Sequence, residues 1–155
     1  MDDYIDGVRQ SYHGEVVAEG FYRRLARAQP EGYRRTALCL IAEVEGKTQR
    51  RLAPFAAALG ITLSPEDRDQ RIDARIQDLG QFEWDVFIRK ANREWPAFLE
   101  HFEHIERLAQ GRGEHGLKFL VDHEQALLDF VHLELTNPGS PEALLPMRTY
   151  IAAVP

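Results

Sequence analysis

A chain of 155 residues has the length of one domain, and its 44% apolar and 28% charged residues exclude wholesale disorder. A formal net charge of −6 argues against nonspecific attraction to nucleic acid or to an anionic membrane. The single cysteine, Cys39, rules out an intramolecular disulfide and a thiolate metal cage.

Four long segments carry helical periodicity. The first runs from about Tyr4 to Ala28, with Ile5, Val8, Tyr12, Val16, Phe21, Tyr22 and Leu25 on one face, and stops at Gln29-Pro30-Glu31-Gly32. The second runs from about Tyr33 to Leu59, with Gly60 placed to end it; Pro54 predicts a kink or a fresh start inside it. Cys39 falls in its apolar run Ala37 to Ile41 and is expected to be a small buried hydrophobe. Residues 61–80 form a long connection in which Ser64-Pro65-Glu66-Asp67 has the residue order that opens a short helix.

The third long segment spans about Phe82 to Gln110, and Pro96 predicts a kink or break near Trp95. The fourth spans about Glu114 to Leu135 and stops at Asn137-Pro138-Gly139, after which Ser140-Pro141-Glu142 opens a short terminal helix. No period-two run bounded by hairpin signals occurs. The expected fold is all-α, a single helical-bundle domain over residues 1–155 with one crossover that contains a short helix. The acidic opening Met-Asp-Asp-Tyr-Ile-Asp lacks the basic and apolar regions of a leader. No apolar run approaches the roughly 20 residues of a bilayer span, so the expected location is the cytoplasm.

Most charges fall on polar faces, where solvation accounts for them. Four do not. Glu15, Glu45, Glu94 and Glu124 each lie near the middle of one long helix, at three-and-four spacing from the apolar residues of its stripe. A carboxylate facing a core is costly unless it is paired, hydrogen-bonded or bound to a cation, and four converging ones repel each other. Divalent cations remove that conflict, and carboxylates with an imidazole suit iron or manganese. His101 shares a face with Glu94 and is the candidate imidazole; His13 and His123 flank the stripes beside Glu15 and Glu124.

Three stretches resemble the helices of the ferritin-like superfamily, and of its rubrerythrin-type members in particular. They are His13-Gly14-Glu15-Val16-Val17-Ala18-Glu19-Gly20-Phe21-Tyr22, Ala42-Glu43-Val44-Glu45-Gly46-Lys47-Thr48, and Asp122-His123-Glu124-Gln125-Ala126-Leu127-Leu128. The resemblance implies a ferritin-like four-helix bundle with a di-iron or di-manganese centre that supports oxidation chemistry. The ligands expected for it, from the faces described above, are Glu15, Glu45, Glu94, Glu124 and His101, with Tyr12 and Tyr22 shaping the pocket. The chain departs from the family where Glu-x-x-His is expected twice, carrying Thr48 after Glu45 and Leu127 after Glu124.

The competing expectation is a bundle without metal, its buried acids paired with Arg or Lys or hydrogen-bonded to Tyr and Thr48. Trp84, Phe87, Trp95, Phe98 and Phe102 then serve a homodimer face or an apolar-ligand cleft. No Gly-x-Ser-x-Gly elbow or phosphate-cradling glycine loop is present, so nucleophilic and phosphoryl chemistry have no support.

Overall fold

The computed structural model describes residues 2–155, and every regular element among them is a helix. In chain order they are α1 (Asp3–Ala28), α2 (Tyr33–Ala58), α3 (Pro65–Leu79), α4 (Trp84–Gly111) and α5 (Lys118–Thr136). A 3₁₀ turn (Pro141–Leu144) then leads into α6 (Leu145–Ala153). None of these helices is long and apolar enough to cross a membrane. α1 packs chiefly on α2 and α4 on α5, so the chain makes two helical hairpins joined by the connection that holds α3. α3 lies against α1, while α6 packs on α5 and α2.

Local chemistry accounts for the helix ends. Asp2 caps α1 by accepting from the Tyr4 backbone N–H at 3.0 Å. Ser64 caps α3 by accepting from the Asp67 N–H at 3.1 Å, with Pro65 in the first turn. After α2, Gly60 takes φ +69°, a conformation open to glycine, and the Ile61 N–H returns to the Ala56 carbonyl at 2.9 Å.

Three expectations need correction. Pro54 and Pro96 open no new helix and break neither α2 nor α4, since each removes one backbone donor and the flanking packing carries the helix through. α5 begins at Lys118 rather than near Glu114, because Gly113 and Gly116 adopt φ +74° and +115° and keep the chain in a loop. Cys39 is exposed: Ala37, Leu38, Leu40 and Ile41 supply the buried face, and the turn of the helix carries residue 39 to the outside.

The apolar core is divided in two. One part holds Leu25, Leu38, Ile41, Leu127, Phe130 and Met147, and the other holds Val8, Leu52, Ile105, Leu117 and Leu120. On α1, α2 and α5 the residues between these two parts are buried and polar: Glu15, Glu45 with Thr48, and His123 with Glu124. A buried layer of titratable groups thus crosses the bundle at mid-height. Behind it, Lys47 Nζ donates to the Ile151 and Val154 carbonyls at 2.8 Å and fixes the end of α6.

A different buried acid has a structural role. Glu134, 3% exposed near the end of α5, accepts from Tyr33 Oη at 2.6 Å and Trp84 Nε1 at 2.9 Å, and from the Gly139 N–H. It ties the starts of α2 and α4 to the end of α5. Replacing it with alanine leaves those donors unmatched in an apolar setting, so Glu134→Ala should cost about 3 kcal/mol in urea unfolding. A change within experimental error would show the hub to be dispensable.

Candidate metal centre

Glu15 comes from the middle of α1, Glu45 from the middle of α2, and His123 and Glu124 from the first turns of α5. Adjacent residues on a helix diverge by about 100°, so His123 and Glu124 share a site only if a helix is buried over a wide arc. α5 meets that condition, with Phe119, Leu120, Ala126, Leu127, Leu128, Phe130 and Val131 all buried around them. His123 is fully enclosed, its ring 4.7 Å from that of Phe102 and 6.3 Å from that of Tyr150.

His123 Nε2 stands 3.3 Å from Glu15 Oε2, 3.7 Å from Glu45 Oε2 and 3.8 Å from Glu124 Oε2. One donor atom each from Glu15, Glu45 and His123 lie within 4.8 Å of one another, the spacing of ligands around a common ion. These approaches do not have hydrogen-bond geometry. Glu15 Oε2, Glu45 Oε2, Glu124 Oε1 and both His123 ring nitrogens are buried without a hydrogen-bond partner. Buried polar atoms are ordinarily satisfied, and five orphans in one cluster are a strong departure.

The electrostatics follow from burial. Desolvation, and then the charge of Glu124, pushes the Glu15 carboxyl up to about 7, although its contact with Glu45 works the other way. Desolvation likewise raises Glu124 to about 8 despite the nearby His123. Glu45 is driven well above the carboxylate range by burial and then by Glu15. Among the described residues, no Arg or Lys lies within ion-pair distance of these three acids, and Arg75 of α3 acts on Glu15 and Glu45 only from farther off.

Of the residues expected at the site, Glu15, Glu45 and Glu124 come together. Glu94 does not. It is exposed on α4 beside Arg93, because the buried stripe runs through Ile88, Ala91, Trp95 and Phe102 and leaves residue 94 about 90° round the helix. His101 stands off the cluster, half-buried, with its Nε2 3.3 Å from Ser11 Oγ. His123 replaces it as the imidazole at the centre. Thr48, three residues after Glu45, is already committed: its hydroxyl bonds the Val44 carbonyl and Tyr150 Oη. Tyr22 lines the approach to the acids, whereas Tyr12 packs with the other half of the core. Tyr150, on α6, is a neighbour of His123 that helix periodicity had no means of indicating.

A cavity of about 420 Å³ opens between α1 and α4 and ends on Glu15, Glu45 and Glu124. Trp95, Phe98 and Phe102 form its α4 wall, His101 stands beside them, and Arg75 of α3 reaches in from the rim. Of the five aromatics expected to make a dimer face or a cleft, Trp84, Trp95 and Phe102 are buried and Phe87 is partly so. Phe98 alone is 51% exposed, at the cavity mouth.

No protein-family model, curated protein or solved structure matches the chain.

The raised carboxyl pKa values fix the sign of a pH effect. Between the unfolded value near 4.5 and folded values of about 7 to 8, the folded chain holds protons that the unfolded chain releases. Stability contributed by these groups is therefore present at low pH and is lost as pH rises through that window. The metal-free protein should melt lower at about pH 8 than at about pH 5, and Glu124→Gln should raise the melting temperature at the higher pH. A flat profile for both proteins would contradict the buried-acid electrostatics.

Proposed function

We propose that this chain is a metal-binding protein of the ferritin-like type, holding iron(II) or manganese(II) through Glu15, Glu45, Glu124 and His123. The observation that carries this reading is the set of five unpartnered buried polar atoms on three helices, among which Glu15, Glu45 and His123 bring one ligand atom each within 4.8 Å of one another. Three carboxylates and an imidazole are a hard, oxygen-rich ligand set of the kind that suits these ions. A bound cation also removes the repulsion among the three acids, which no Arg or Lys within ion-pair reach relieves.

Where the family pattern has two further histidines, this chain has Thr48 and Leu127. Four donors serve one ion fully and two only by bridging, so we take one ion as the stoichiometry. Iron in such a site supplies oxygen or peroxide chemistry, and this is the activity class we propose. The chain's own residues then have separable tasks. The three acids and His123 bind and balance charge. Phe102 and Tyr150, both beside the imidazole, hold its ring in place and keep bulk water from it. His101, hydrogen-bonded to Ser11 on the cavity wall, is the group able to hold a proton beside the cavity without competing for the ion.

Metal analysis of protein purified without an affinity tag tests the proposal. The expected result is close to one equivalent of iron or manganese, lost in Glu45→Gln and in His123→Ala. Near two equivalents would restore the dinuclear arrangement of the family. Protein that takes up no iron(II) anaerobically, with an unshifted melting temperature, would overturn the proposal. The acids would then be proton-sharing core groups of a metal-free bundle.

A further inference from the structure

The cavity above the carboxylates has two chemically distinct surfaces. Its α4 side is aromatic, with Trp95 and Phe102 nearly buried and Phe98 half-exposed at the mouth. Its rim carries Arg75. That guanidinium lies 4.1 Å over the Phe21 ring and 5.4 Å from the Tyr22 ring, and its Nη2 donates weakly to Tyr22 Oη at 3.5 Å. Several other arginines, such as Arg9, Arg23, Arg24 and Arg112, are engaged by a carboxylate. Arg75 has no ion-pair partner among the described residues. Contact with the two rings holds the guanidinium in place, and most of its five donors remain to be satisfied.

Gly14 adds an independent observation. It lines the same cavity on the α1 side, and a Cβ built on it would meet nothing within 4 Å. The contrast is with Gly7 and Gly20, where a Cβ would run into Ile105 and Ile72. Those two glycines let helices approach, whereas Gly14 keeps a wall of the cavity clear. A space of about 420 Å³ falls in the range of small-molecule sites, about 300–1,000 Å³.

We propose that this cavity binds a small carboxylic acid with an apolar body, the carboxylate held by Arg75 and the body against Trp95, Phe98 and Phe102. Arg recognises carboxylates through a planar pair of donors, and an aromatic wall favours a flat or short aliphatic body over a polar one. Arg75 is exposed whereas Trp95 and Phe102 are buried, so the carboxylate stays at the rim while the body points inwards. Taken as the substrate class, this inference rests on the metal-binding reading; as a binding site it is measured separately.

The test is calorimetric titration of the purified protein with benzoate and with octanoate, alongside neutral benzamide and small, polar acetate. The metal content of each sample is recorded. Saturable one-site binding is expected for benzoate, octanoate or both, with benzamide and acetate weaker by at least about tenfold. Arg75→Gln should weaken the acid by a similar factor, and Gly14→Leu should do so by filling the cavity while favouring the helix. Equal binding of acid and amide, undiminished binding in both variants, or no saturable binding of either acid would overturn the inference. If Arg75→Gln fails to fold, the acid–amide comparison on the unaltered protein and the Gly14 variant still decide it. Metal without acid binding removes this inference alone, and acid without metal binding removes the functional reading alone.

Discussion

Three carboxyl groups and one imidazole are packed into a bundle whose core above and below them is mainly apolar. The rest of the structure is arranged around that constraint. The core is split at this level, the aromatics of α4 cluster beside it, and α6 folds back to set Tyr150 against His123. Burying a carboxylate is among the most expensive things a small protein can do, and the usual remedies are an arginine, a lysine or a dense set of hydrogen-bond donors. Glu134 has such donors, from Tyr33, Trp84 and Gly139. Glu15, Glu45 and Glu124 do not, and within one helix the satisfied Glu134 contrasts with Glu124, whose Oε1 is buried without a partner.

The helices were legible because their signals are local. Asp2, Ser64-Pro65 and Gly60 sit where capping chemistry wants them, and the apolar spacing of α1 and α2 left little freedom in assigning their buried sides. Errors came where a local signal was outvoted. Proline at positions 54 and 96 weakens a helix by a fixed amount, and tertiary packing over 26 and 28 residues exceeds it. In the loop before α5, two glycines with positive φ overrode an apolar pattern that continues through Leu117.

The site was legible in part for a related reason. A helical wheel assigns faces well at the centre of a stripe and poorly at its edges. Glu15, Glu45 and Glu124 lie near the centre; Glu94 lies at an edge, and the side to which it falls depends on where α4 is rotated by its neighbours. His123 was passed over because it adjoins Glu124, and two consecutive residues share a site only on a helix surrounded on several sides. That α5 is so surrounded follows from α6 packing against it, which is a property of the whole fold. The orphaned donor atoms are likewise invisible in a sequence, since they are defined by partners that are missing.

The cavity reaches the acids from the α1–α4 side, while Tyr150 and the anchored end of α6 close the opposite side. The centre is therefore a cul-de-sac. Whatever sits deepest must enter first and leave last, and an occupant at the mouth traps what lies beneath it. Such a geometry imposes an order of addition, and it makes the release of the deeper partner depend on the departure of the outer one rather than on its own affinity.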